Sequence, residues 1–540
     1  MRGISVRFGK VLVLAGLTLA VTASSGAAGS PARARILGVI PHAGSQLARA
    51  PIPHTLAKAV RAAGPTSLTF DASYQNAINQ FFTDVAHDSG GTDNVYSVAT
   101  QYYDNPGTVH IQYQSIFGGA YVAKDPLPAN GCNDGVNAYC LTDQQLQHEI
   151  QTALTAKGWV SDPSHIFFLM TPNGVGSCES AAGSCSTDTF CAYHSDFVDS
   201  SGGHVIYANE PYQGTDPVGG CIDPTQGFPN DPDADTTINT ISHEHNEAIT
   251  DPLTDRSSTA WIAADGNENG DLCAYGFGAP LGGVLGVDAY NQVINGHHYE
   301  LQQEWSNQDN GCIQRPGGVA SPPTSGHGPL LYEGGPVMHS NTVYAIYWLP
   351  TARNTSAPAV TGTAVVNQTL KTSAGSWAGG ATAESYQWQR CSATGTSCAD
   401  IAGATATTYK LTIADGGHVV RSTVRATNVN GASAPTASTG TKMVVDVPAA
   451  TKAPHISGRA RVGKKLLGSH GTWTYFPAFA YQWLRCSAHG ASCKSISHAT
   501  HATYRLTKRD AKHRLRLRVT ATNAAGKVKA ISAASARVSR

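Results

Sequence analysis

Apolar side chains recur at helical spacing at Tyr74, Ile78, Phe81, Phe82 and Val85, which predicts a helix entered near Asp71 or Ser73. A second helix is expected from Thr142, where Thr142 and Gln145 fit a capping box, to about Gly158. Strand-like runs fall at 95–103, 110–113, 166–170 and 204–208. A third stripe, Ile238, Ile241, Ala248 and Ile249, predicts a helix capped at Asp235 or Thr236 and stopped by Pro252. Strands interleaved with helices point to a mixed α/β domain over residues 67–314.

The texture changes after that. Residues 315–330 are rich in Gly and Pro and read as a linker. Residues 331–351 hold one more strand-like core at 343–349. From 357 onward the chain is duplicated. Trp388, Cys391, Cys398 and Tyr409 recur 95 residues later as Trp483, Cys486, Cys493 and Tyr504. Short β-prone runs punctuated by Gly and Asn predict two Ig-like sandwiches, 356–447 and 452–540. The two cysteines of each copy are only seven apart, which suits a local loop staple and not a bridge between sheets. The fold class expected is therefore multidomain: an α/β (α+β) domain with a mixed sheet, then two all-β repeats.

The N-terminus has Arg2, Arg7 and Lys10 before an apolar run at 11–21 and a stretch of small residues, the layout of a secretory signal peptide over 1–28. The run is shorter than the ~20 residues that span a bilayer, and no transmembrane segment is expected elsewhere. Residues 29–66, rich in Ala, Pro and Arg, read as a leader of low order. Twelve cysteines in an exported chain imply a disulfide framework, with the pairing of the eight in 132–312 left open.

Composition adds one point. The chain of 540 residues carries 37 Lys+Arg and 37 Asp+Glu, a balance that argues against a dedicated nucleic-acid binder. That balance is a cancellation. Residues 451–540 hold 18 Lys+Arg and a single acid, Asp510, whereas the other 450 residues hold 19 bases and 36 acids. Arg514, Arg516 and Arg518 lie on a predicted strand with one basic face, and Lys512 joins them as a candidate polyanion-binding residue. An anionic polymer or headgroup surface is the expected partner there.

The candidate chemistry lies in His243-Glu244-His245-Asn246-Glu247. On a helix His243 and Glu247 share a face and can grip one divalent ion. Glu244 is placed to polarise water, as in His-Glu-x-x-His zinc hydrolases, with Glu in place of the second His. A zinc site needs a third ligand, and Glu268 is the expected one, with Asp251 and Asp271 as rivals. His245 points away and is read as a packing or supporting residue. Calcium is the competing ion. Asp265, Asn267, Asn269 and Gly270 match half of a calcium loop, and Asp231, Asp233 and Asp235 form an acidic run that otherwise favours a helix start.

Several separated motifs resemble the phosphate-induced protein 1 family, whose plant members are called exordium-like. They are Phe81-Phe82-Thr83-Asp84-Val85-Ala86, Phe117-Gly118-Gly119, Ser242-His243-Glu244 with Glu247-Ala248, Glu268 with Asp271-Leu272-Cys273, and Gln303-Glu304-Trp305-Ser306-Asn307. The resemblance covers about 66–315 plus the segment from Gly334 to Trp348, which in relatives precedes the first helix and here follows the domain. It implies an extracellular protein and a zincin-like metal site on His243, Glu244, Glu247, Glu268 and Asp271. The permuted strand at 343–349 is expected to pair into the sheet of the 67–314 domain, because its apolar face needs a partner. Two functions follow as expectations: a zinc-dependent hydrolase acting on extracellular peptide or cell-wall polymer, or a non-catalytic signalling or wall-associated protein with structural or calcium-binding acidic loops.

Overall fold

The computed structural model describes residues 37–41 as backbone, and 68–105, 107–214, 221–223, 225–254 and 258–540 in full. The expected signal peptide and most of the leader lie outside the described residues. The architecture is multidomain and rich in strands, with three α-helices among the described residues.

The first domain is built on a six-stranded sheet. Its strands are β1 (Leu37–Pro41), β2 (Ser115–Ala123), β3 (His165–Thr171), β4 (Phe190–Val198), β5 (His204–Pro211) and β6 (Asn341–Trp348), in the spatial order β1-β4-β5-β3-β6-β2. Strands β5, β3, β6 and β2 run parallel. β4 is antiparallel to β5, and β1 is antiparallel to β4. Three helices cover the sheet: α1 (Ala72–His87), α2 (Asp143–Lys157) and α3 (Pro232–Thr250).

Strand alternation sorts the side chains onto two faces. Ile166, Phe168 and Met170 of β3, with Val343, Ala345 and Tyr347 of β6, join α1 and α3 in one core. Phe167, Leu169, Ile346 and Trp348 face α2 in the other. Inner parallel strands buried on both sides read as unbroken apolar runs, which is why β3 and β6 stand out in the sequence.

The strand at 343–349 is thus an inner strand, hydrogen-bonded to β3 on one side and β2 on the other. The strand of the 331–351 segment therefore pairs into the sheet of the first domain, as its apolar face requires. The stretch 315–330 differs from a free linker. Ser321 bridges Cys312, Thr324 N–H donates to Leu272 O, and Leu330–Tyr332 pairs with Trp261–Ala263. It is a strap laid over the domain.

α2 begins and ends as its residues demand, with the Thr142–Gln145 box formed and Gly158 in the left-handed region at φ 65°. α3 starts at Pro232, before the expected cap. Asp231 is the cap, accepting from the N–H groups of Asp233 and Ala234. The run at 95–103 is mostly a 3₁₀-helix, Val95–Gln101, started by Asn94, whose side chain accepts from Tyr96 N–H. The leader is not wholly without order, since β1 lies inside it.

Residues 353–447 and 450–540 are two copies of an Ig-like β-sandwich. In the first, the hairpin of Ala383–Cys391 with Val419–Asn428 packs Trp388 against Leu370, Leu411 and Val420. In the second, Ala478–Cys486 with Arg514–Asn523 does the same with Trp483. All twelve cysteines are paired: Cys132–Cys140, Cys178–Cys185, Cys191–Cys221, Cys273–Cys312, Cys391–Cys398 and Cys486–Cys493. The last two are local staples, as their spacing requires.

Asp510, the one acid of the basic repeat, is fully buried. It accepts from Arg485, Tyr504 and both the N–H and hydroxyl of Thr507. Asp415 does the same in the first repeat with Arg390, Tyr409 and Thr412. Asp510→Ala strands Arg485 and Thr507 without their acceptor and is expected to cost the repeat about 3 kcal/mol, read from a urea melt of the full chain.

Candidate metal centre

α3 is polar in sequence yet buried throughout from Ala234 to Thr250. A helix of Thr, Asn, Ser, His and Glu that is sealed from water must spend those groups on partners, or on a ligand. Its N-terminal half does the former: Thr240 donates to Glu210 of β5 at 2.7 Å, and Asn239 accepts from Gln302 N–H at 2.8 Å. Its C-terminal half faces a cluster of charge.

There, His243 Nε2 lies 2.9 Å from Glu247 Oε1 and 3.7 Å from Asp271 Oδ1. The ligating atoms of His243, Glu247 and Asp271 lie within 4.8 Å of one another. Asp271 stands in a short turn, Asp271–Cys273, pinned by the Cys273–Cys312 disulfide. Its N–H donates to Glu247 Oε1 at 2.8 Å. Gly270 beside it leaves no room for a side chain, since a Cβ there would stand 2.9 Å from both Glu247 Oε1 and His243 Nδ1. Gln302 Nε2 holds His243 Nδ1 at 2.7 Å.

A second histidine, His194 on β4, completes the cluster. Its Nδ1 lies 3.2 Å from Glu244 Oε2 and 3.6 Å from Glu247 Oε2, and its Nε2 lies 3.7 Å from Glu268 Oε2. Nothing in the local sequence announces His194. It stands fifty residues before Glu244 and arrives only through the pairing of β4 with β5 beside α3.

Of the residues read from the sequence, His243, Glu244, Glu247, Glu268 and Asp271 therefore converge. Asp271 groups with His243, and Glu268 lies on the His194 side. Asp251 sits at the end of α3 with Oδ1 accepting from Ala260 N–H at 2.7 Å. His245 is elsewhere. It is buried between Tyr96 and Phe168 and reaches Asn341 Oδ1 at 3.0 Å. The half calcium loop is spent on local contacts. Asp265 accepts from the N–H groups of Asn267 and His327, while Asn269 is turned inward to Thr250 and Glu304. Asp231 and Asp235 serve the start of α3. In the basic repeat Arg514 and Arg516 are half-buried and donate to carbonyls at Ala488, Ser535, Gly490 and Ser532. Lys512 is exposed and Arg518 half-buried.

Electrostatics test whether a cation fits. Every ion-pair partner of these carboxylates among the described residues is a histidine; no Lys or Arg reaches them. Glu244 Oε1, Glu247 Oε2, Asp251 Oδ2 and both oxygens of Glu268 are buried and accept no hydrogen bond. Burial, then the charge of Glu247, pushes Glu244 and Glu268 well above the usual carboxylate range. The same two causes raise Asp271 to about 8, and burial raises Asp251 to about 7. Burial also acts to raise Glu247, but His243 and His194 outweigh it and hold it at about 2. Five carboxylates and two imidazoles thus stand together in the interior, oxygen and nitrogen donors of the chemical kind that divalent ions take.

No family model matches the chain, and no curated protein matches it. Among solved structures it is similar to the chicken CNTN1 FN1–FN3 domains, at 12% identity over 35% of this chain and 65% of that one, with a TM-score of 0.20. It is also similar to the N-terminal four Ig domains of Dscam1 isoform 4.44, at 13% identity over 51% of this chain and 64% of that one, TM-score 0.17. A third is DIP-gamma IG1+IG2, at 14% identity over 34% of this chain and 98% of that one, TM-score 0.19. The chain spans just under two thirds of the first two. These neighbours are Ig and fibronectin domains.

Proposed function

We propose that this chain is a secreted metal-dependent hydrolase of the zincin type, acting on extracellular peptide or wall polymer, with its centre on α3. The observation that carries this reading is the convergence of His243, Glu247 and Asp271 beside the unpartnered Oε1 of Glu244. His243, Glu247 and Asp271 would hold zinc, with Glu268 as the rival third ligand; bound there, the ion supplies Lewis-acid chemistry for water and for a carbonyl. Glu244 takes the proton that the attacking water gives up, and His194 holds Glu244 in place. Six disulfides, the signal-like N-terminus and the resemblance to exordium-like proteins support an extracellular setting. No helix of the described residues is long and apolar enough to cross a membrane.

The centre is enclosed, and β1 is part of the enclosure. Leu37 pairs opposite His194, and the strand lies against α3 and the turn Asp271–Cys273. An extended peptide in the place of β1 would run along β4 past the donors. A chain beginning at residue 68 is therefore expected to hydrolyse a peptide library about tenfold faster than the full chain, a barrier change of ~1.4 kcal/mol. In that shortened chain Glu244→Gln lowers turnover by about 10²–10⁴-fold while at least one metal ion per chain remains bound. Complete burial also favours a second reading, a structural metal in a non-catalytic wall-associated protein. Metal content without hydrolysis in the chain beginning at 68 would decide for it.

The basic repeat supports attachment to an anionic surface, because its only acid is already neutralised by Arg485. Retention on an immobilised polyanion is expected at low salt and lost near 1 M, where the screening length is about 3 Å.

A further inference from the structure

We infer that the centre holds two divalent cations, the second bound by His194 Nδ1, Glu244 Oε2 and Glu247 Oε2, with Glu247 bridging the pair. The two oxygens of Glu247 face different imidazoles: Oε1 is 2.9 Å from His243 Nε2, and Oε2 is 3.6 Å from His194 Nδ1. The donor atoms of His194, Glu244 and Glu247 lie within 4.8 Å of one another, as do those of His243, Glu247 and Asp271. Glu247 is thus the common member of two compact three-donor groups.

Each imidazole is also braced on its far side. His194 Nε2 lies 3.2 Å from the carbonyl of Asp251, with Glu268 Oε2 beyond, which leaves Nδ1 turned toward Glu244 and Glu247. A carboxylate or carbonyl on the outer nitrogen is the usual support of a metal-bound histidine. His243 differs: its Nδ1 faces the Nε2 amide of Gln302 at 2.7 Å, which fixes the ring while Nε2 points at Glu247.

Charge makes the same case. All the carboxylates are buried, Glu247 Oε2 accepts no hydrogen bond, and among the described residues no Lys or Arg pairs with them. The two donor groups hold three carboxylates, Glu244, Glu247 and Asp271; one divalent ion offsets two of them and a second offsets the third. A shared carboxylate suits ions about 3.5–4 Å apart, the spacing of two-metal hydrolytic centres.

The inference rests on the metal-dependent reading of α3 and gives Glu244 two tasks. Oε2 holds the second ion, and Oε1 remains free for proton transfer.

The test uses the full chain, stripped with chelator and reloaded with Zn²⁺ or Mn²⁺ alone. Metal analysis is expected to find two zinc ions per chain, falling to one in His194→Gln. The Mn²⁺ form should give the paramagnetic resonance spectrum of an exchange-coupled pair. His194→Gln should give the six-line spectrum of a single ion. One ion per wild-type chain, or two that are not coupled, overturns the shared centre while leaving a single-ion hydrolase standing. No bound ion overturns both. Should His194→Gln not fold, as judged by near-UV dichroism, the wild-type stoichiometry and coupling decide alone.

Discussion

Ala345→Pro in the full chain is expected to abolish cooperative folding of the α/β domain while the two repeats still melt. Ala345 is at the middle of β6, opposite Phe168 of β3 and Ala120 of β2. Proline removes a ladder donor and does not fit an inner strand. Both cores draw on β6, one through Val343, Ala345 and Tyr347 and the other through Ile346 and Trp348, so losing it opens both at once. The penalty should exceed about 5 kcal/mol, the upper end for single substitutions. A chain ending at residue 330, which lacks β6 and both repeats, should show no cooperative transition and no near-UV dichroism from the domain's aromatic core. Scanning calorimetry checks this. A wild-type-like domain transition in either variant would mean that β6 is dispensable.

Metal-free protein should become less stable as pH rises from 5 to 8, the reverse of the usual acid sensitivity. In the folded metal-free chain Asp271 keeps its proton to about 8 and Asp251 to about 7, whereas unfolded carboxyls release theirs near 4. Across that window these groups keep the native state more protonated than the unfolded state, as do Glu149, raised to about 8, and Asp235 and Glu300, raised to about 7. His245, held down at about 4 by burial, acts the other way; the net derivative of stability with pH is negative. His243 adds to the trend. Burial alone would lower it, but Glu247 raises it above its usual value, so its charged pairing is lost as pH climbs. Glu247 is ionised in both states above pH 5 and adds nothing there. Even two units on one group are worth ~2.7 kcal/mol, or roughly 5–10 °C in a domain of this size. Zinc should remove the centre's share of the fall, because metal competes with those same protons and gains affinity as they leave. Melting curves at pH 5 and 8, with chelator and with zinc, give the result. A chelated protein that melts higher at pH 8 would contradict the account of the centre.

Much of the frame could be read from side-chain order alone. α2 was legible because Thr142, Gln145 and Gly158 are local signals that tertiary context does not override. The repeats were legible because Trp388 and Trp483 recur with their cysteines. β2 was hidden by Gly118-Gly119, and Gly118 is there to admit the Tyr344 ring, which a Cβ would meet at 2.3 Å. β4 was hidden because Cys191, His194, Ser195 and Asp196 interrupt its apolar pattern, though all four are buried. The same mixture hid His194. On the helix, His243, Glu244 and Glu247 could be placed from spacing, because four residues make one turn. Whether Glu268 or Asp271 meets His243 depends on a turn set by a disulfide and by Gly270, and no spacing rule encodes that.

The position of β6 has a mechanical consequence. Asn428 and Asn430 of the first repeat clamp the carbonyl of Pro350, just past the end of β6, and Asn523 of the second repeat clamps Asp446 in the same manner. If the basic repeat is moored to a surface, a pull on the body of the molecule enters it along β6. That strand is gripped by parallel neighbours on both sides, so tension loads its hydrogen bonds together in shear and not one after another. The tether therefore joins the domain at a place where force does not peel the sheet open, and two strands, β3 and β5, lie between the line of load and the β4 side of the centre.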